Sequence, residues 1–187
     1  MNQFFMQLEN EEYEEIKRVV ADTFVEYAVK TIPISAFELA VNMGITVVPY
    51  SALSEAKQEA ALKFSVDGYS ADFSNGDWVI YYNNECNNYG RINQTIMHEI
   101  GHYALGHTKD GLQEEAEAKF FAKYALAPPP LIHNIQDPIN TGSLIKHFGL
   151  SSQAAQIACQ YYAKWLRYGD VEYTDYEKKI LDLFKIS

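Results

Sequence analysis

His98 and His102 stand four positions apart, and Glu99 directly follows the first of them. In a helix, residues i and i+4 lie one turn apart on the same face. Two imidazoles so placed can share one metal ion, their nitrogens about 2.0–2.1 Å from a zinc. Glu99 then projects about 100° further around the axis. From there it can take a proton from a water that the metal acidifies, without itself being a ligand. This is the chemistry of peptide hydrolysis by a zinc enzyme. An exposed helix with two solvated histidines is the bland alternative. Against it stand Ile96, Met97, Ile100, Ala104 and Leu105, apolar positions of a helix that has to be partly buried. Gly106 is a plausible stop, and Gly101 implies a closely packed neighbour.

A catalytic zinc needs a third protein ligand and a place left for water. The run from Gln113 to Ala122 reads as a second helix, ended by Pro128-Pro129-Pro130, with Phe121, Ala122, Ala125 and Leu126 as its apolar face. A short connection would pack it antiparallel to the first and bring a glutamate over the histidines. Glu114, Glu115 and Glu117 compete for that role. His107 is a further candidate, but on an ideal helix it lies about 140° from His102. It also fails the metzincin spacing, which puts the third histidine one position later, where Thr108 stands.

The stretch from Arg91 to His107 resembles the ImmA/IrrE family of metallo-endopeptidases. So does Glu115-Ala116-Glu117-Ala118 followed by Phe121-Ala122 and Leu126-Ala127-Pro128. Residues 33–48 are similar to that family's N-terminal helix and strand, and 67–70 and 79–83 to its central strands. The resemblance implies a gluzincin-like zinc peptidase of the bacterial cytoplasm. It implies a protein substrate, a DNA-binding repressor of the helix-turn-helix kind, whose cleavage or inactivation relieves repression. It also implies Glu115 as third ligand beside His98 and His102, with Glu117 second, because the family's glutamate stands three positions before the alanine here at Ala118. One position departs: Lys119 stands where the family carries Asn or Asp. A lysine cannot accept a hydrogen bond from a ligand imidazole, so another group has to orient the ligands or the site binds metal weakly.

The remaining chain sets the frame. Its 187 residues are 48% hydrophobic, enough for one cored domain or one domain with an extension. The formal charge of −10 argues against a general nucleic-acid or anionic-membrane binder. Cys86 and Cys159 are too few for a disulfide framework and read as free thiols of a reducing cytosol. No secretory signal and no membrane span is expected.

The periodicities predict an α+β fold, mainly helical and zincin-like, with a small antiparallel sheet and a helical C-terminal extension. Residues 1–130 form the expected peptidase domain and 131–187 the extension, packed on the same globule. Helices are predicted over 11–30, from a Ser35/Glu38 capping box to Gly44, and over the motif. Strands are predicted over 45–50, 69–73 and 78–82, the last two joined by an Asn75-Gly76 hairpin turn. The edge of that sheet can receive an extended peptide as an added strand. Residues 51–64 are helix or loop, and 131–140 read as loop.

Helices over 141–148 and 152–167, separated by Gly149-Leu150-Ser151, resemble a helix-turn-helix. The second offers Lys164 and Arg167 as cations, both far from its N-terminus, where base-reading residues sit. Its apolar positions point to packing, either as a cap or as a platform for substrate, and direct nucleic-acid binding is not expected. Thr174 and Glu177 open a last helix.

The mechanism expected is hydrolysis with Glu99 as general base and His98, His102 and Glu115 holding Zn2+. Tyr81, Tyr82, Arg91, Tyr103 and His107 are candidates for contacting substrate or a developing oxyanion. Two other readings compete: a non-proteolytic regulator that sequesters a transcription factor, and a structural metal domain.

Overall fold

Among the residues described by the computed structural model (7–73, 76–109, 111–168 and 172–186), helices dominate around one small sheet. In order these are α1 (Asn10–Glu26), α2 (Ala36–Asn42), β1 (Thr46–Pro49), α3 (Glu55–Phe64), β2 (Gly68–Asp72) and β3 (Trp78–Tyr82). Then follow α4 (Tyr89–Ala104), α5 (Leu112–Leu126), α6 (Pro129–His133), α7 (Thr141–Phe148), α8 (Ser152–Tyr168) and α9 (Asp175–Leu183). The expected mainly helical α+β fold is present.

The sheet has the order β1–β3–β2. β2 and β3 run antiparallel with Ser70 opposite Ile80, as a hairpin requires. Ser74 and Asn75, half of the expected turn, lie outside the described residues; Gly76 takes the positive φ of 85° that such turns need. β1, however, pairs parallel to β3, so the sheet is mixed. The physical reason is the crossover: α3 carries the chain back across the sheet between β1 and β2, and β1 joins the far side of β3. β2 is left as the edge strand on the side of α4.

Two stretches differ from their sequence reading. Residues 51–64, ambiguous in the sequence, form a 3-10 turn (Tyr50–Ala52) and α3. Part of the expected 131–140 loop is instead helical: α6 starts on Pro129 and Pro130. Proline is tolerated in a first helical turn, where its missing N–H would have no partner anyway. The prolines therefore end α5 and begin α6.

α4 is the pillar of the core. Ile96, Met97 and Ile100 are fully buried, in the same apolar cluster as Phe121 and Ala125 of α5. Gly101 makes the approach possible: a Cβ there would stand 3.1–3.2 Å from the Phe121 side chain. At the same helix, buried Asn93 accepts from the Ala36 amide (2.7 Å) and donates to the Ile34 carbonyl (2.9 Å), clamping α4 to the start of α2. Both polar ends of the amide are thereby satisfied inside the core.

The α7–α8 pair turns on Gly149, whose φ of 64° closes α7. Its Ser151 lies against the first turn of α4. A Cβ on Gly90 would stand 2.5 Å from the Ser151 amide nitrogen and 2.8 Å from the Gly149 carbonyl oxygen. Backbone cannot step aside as a side chain can. Gly90→Ala is therefore expected to destabilise the fold by about 1–3 kcal/mol through overpacking, outweighing the roughly 1 kcal/mol an alanine adds to a helix. Chemical denaturation measures this. A variant more stable than wild type would mean that α8 does not dock on α4 in solution.

Candidate metal centre

α4 and α5 form an antiparallel pair across the turn that begins at Leu105. Asn88 caps α4 by accepting from the Arg91 amide (3.1 Å), which starts the helix in the register that puts His98 and His102 on its cleft-facing side. The two Nε2 atoms stand 3.2 Å apart. From α5, Glu115 reaches over them: its carboxylate oxygens lie 3.6 Å from His98 Nε2 and 3.3 Å from His102 Nε2. Atoms about 2.0–2.1 Å from one tetrahedral ion are separated by roughly 3.3 Å, so the three donors fit zinc as they stand. His98, His102 and Glu115 form the one such cluster of three metal-ligating groups found among the described residues. Two nitrogens and one carboxylate number three protein donors, one fewer than the four that close a structural zinc site.

Glu99 is 7% exposed. It accepts a 2.6 Å hydrogen bond from the Ser70 hydroxyl on β2. Burial pushes its carboxyl above the ordinary range, opposed by the Ser70 hydroxyl and by His98 beside it. Glu115 behaves oppositely. The hydrogen bond from His98 holds it at about 2, against the cost of partial burial, and His102 and Lys119 add to the lowering. The site thus pushes the two carboxyls in opposite directions, Glu99 up by burial and Glu115 down by its histidine partners, and environments that separate two carboxyls in this way suit acid–base work.

The cluster floors a cleft of about 1060 Å³. One wall is β2, with Gly68 and Ser70. The far wall is Ser151, Ser152 and Gln153 at the α7–α8 turn. Gly68 is needed there, because a Cβ would meet the Thr95 side chain at 2.6 Å and the Tyr81 carbonyl oxygen at 2.7 Å. Of the residues considered for substrate contact, Arg91 and His107 line the cleft. Arg91 is paired to Asp67 at 2.6 Å. Tyr81 stacks on Tyr69 on the other face of the sheet, Tyr82 packs edge-on against Phe37, and Tyr103 against Trp78. Tyr81, Tyr82 and Tyr103 do not line the cleft.

His107 does not sit where a continued helix would put it. α4 stops, Gly106 adopts a left-handed φ of 68°, and the His107 amide donates back to the His102 carbonyl (3.0 Å). This reversal is a Schellman closure. It returns the His107 ring to within 2.9 Å of His102, Nδ1 to Nδ1. Glu117, the second choice for third ligand, faces His107 instead, its Oε2 2.8 Å from His107 Nε2.

A family model described as the IrrE N-terminal-like domain matches residues 43–160. The chain belongs to this family. The matched stretch of the IrrE N-terminal-like domain runs from the end of α2 into α8 and includes every residue of the cluster. No curated protein matches the chain. Family and cluster together support a zinc-dependent peptidase in general terms. No helix of the described residues is long and apolar enough to cross a membrane.

Sequence reasoning missed Ser70 and the Ser151–Gln153 wall, since no spacing rule ties residues so far apart. It did isolate Lys119, whose ammonium lies 3.6 Å from Glu115 Oε2 and whose side chain is 64% exposed. Lys119 draws on the carboxylate and repels a divalent cation. An exposed ion pair is worth about 0.2–1 kcal/mol, so Lys119→Ala should tighten zinc binding by no more than about fivefold. Competition against a chromophoric chelator reads this. Weaker binding in the variant would mean that the lysine supports the metal site instead of opposing it.

Proposed function

We propose that the protein is a zinc-dependent metallo-endopeptidase that cleaves a DNA-binding regulator, a helix-turn-helix repressor, in the cytoplasm. The observation that carries the reading is the placing of a buried Glu99 beside a His98–His102–Glu115 triangle of zinc dimensions, all of them lining one cleft. Bound zinc would supply a Lewis acid that makes water acidic near neutral pH.

The chain's own residues do the rest. His98, His102 and Glu115 hold the metal. Glu99 accepts the proton of the attacking water at its carboxylate and returns it to the leaving amine. Ser70 keeps that carboxylate turned toward the cleft. The outer edge of β2 is proposed to take the substrate backbone as an added strand, with affinity from main-chain hydrogen bonds. Residues 131–187 are proposed as an extension of the peptidase domain of residues 1–130, and the α7–α8 turn as a platform for substrate. In a helix-turn-helix the N-terminus of the second helix reads bases. In this chain that end lies against Gly90 and lines the cleft, which favours packing over direct nucleic-acid contact. The two free cysteines, Cys86 and Cys159, support a reducing, cytoplasmic site of action.

The test is incubation of the zinc-loaded protein with helix-turn-helix regulators encoded beside its gene, with mass spectrometry of the products. Discrete fragments that disappear with chelator support the reading. If a regulator is bound but stays intact while repression is relieved, sequestration replaces proteolysis.

A further inference from the structure

We infer that His107 and Glu117 form a relay behind the metal centre that sets the tautomer of His102 and thereby aims its Nε2 lone pair at the metal. The inference rests on the zinc reading of the site. It supplies the partner that Lys119 cannot be.

The protons can be placed one after another, starting from the carboxylate. Glu117, when ionised, only accepts. It lies 2.8 Å from His107 Nε2, so that nitrogen carries a proton. A neutral imidazole has one N–H, which leaves His107 Nδ1 as an acceptor. His107 Nδ1 is 2.9 Å from His102 Nδ1, a distance that calls for a proton between them, and it comes from His102. His102 Nε2 then carries no proton. It is this nitrogen that stands 3.2 Å from His98 Nε2 and 3.3 Å from Glu115 Oε1.

Each member is held in place. The His107 backbone is fixed by the Gly106 turn and its side chain is only 7% exposed. The second oxygen of Glu117 accepts from Gln113 Nε2 at 2.9 Å. Ligand histidines elsewhere are oriented in this way by a carboxylate or carbonyl acting directly, and losing that partner weakens metal binding about 10–100-fold. In this protein an imidazole is interposed. His107 and Glu117 are positioning residues, since they act through His102 and are not among the three groups that converge as ligands.

Two measurements test this. Long-range 1H–15N correlation on the zinc-free wild type should show His102 protonated on Nδ1 and His107 on Nε2. The zinc dissociation constant of His107→Phe, by chelator competition, should rise about 10–100-fold. His107→Gln, whose amide oxygen can accept from His102 Nδ1, should recover part of the loss. His102 protonated on Nε2 overturns the relay, and this readout needs no variant to fold. So does a folded His107→Phe that binds zinc within about twofold of wild type. A wild type that takes up no zinc overturns the metal reading itself, a different failure from wild-type zinc binding that is indifferent to His107.

Discussion

Glu99→Gln should abolish cleavage by a factor of at least about 10²–10⁴ while leaving zinc content unchanged. The substitution keeps the size of the side chain and all three proposed ligands. It removes the carboxylate that receives the water's proton and delivers it to the leaving amine. The amide can still accept from the Ser70 hydroxyl, so the 2.6 Å contact to β2 need not be lost. Burial of an uncharged amide in place of a group that burial already disfavours as an anion should cost little stability. Zinc content by elemental analysis, thermal unfolding and rates of regulator cleavage are measured on the same samples. Undiminished cleavage by Glu99→Gln would remove Glu99 from the mechanism.

In His102→Ala, metal and activity should disappear together. This change takes one of three ligands and leaves His107 facing the space the imidazole filled. A ligand that binds only the folded state stabilises it by about 2.7 kcal/mol at a hundredfold excess over its dissociation constant. For a chain of this size each kcal/mol is worth about 2–4 °C. Wild type should therefore melt several degrees higher with zinc than with chelator, and His102→Ala should melt at the same temperature in both. A zinc-dependent shift of wild-type size in the variant would show that the ion sits somewhere other than on His102. The contrast between the variants separates chemistry from binding: one keeps metal without turnover, the other loses both.

Much of the centre was readable because it is local. Four residues between histidines is a helical repeat, and a glutamate next to the first is a fixed rotation, so His98, Glu99 and His102 follow from backbone geometry alone. The capping residues Ser35 and Thr174 act within one turn, and each accepts from the amide three residues on. The family resemblance narrowed three glutamates to Glu115, where spacing alone left the choice open. The loop reading of 131–140 failed at α6 because proline stops a helix from one side and starts it from the other.

Residue order and spacing were enough for the pair of helices and the chemistry written on them: which side chains can bind zinc, which can carry a proton, and that the chain holds enough apolar surface to bury them. Tertiary structure alone decided which groups meet. Phe121 against Gly101 sets how closely α5 approaches, and so which glutamate covers the histidines. Ser70 reaches Glu99 across 29 residues. His107, assigned a direction about 140° away by ideal helix geometry, is returned to His102 by one left-handed glycine. Helical periodicity acts over a few residues and is encoded there. The distance between two packed elements is set by the volumes of all the side chains between them, and no short stretch of sequence contains that sum.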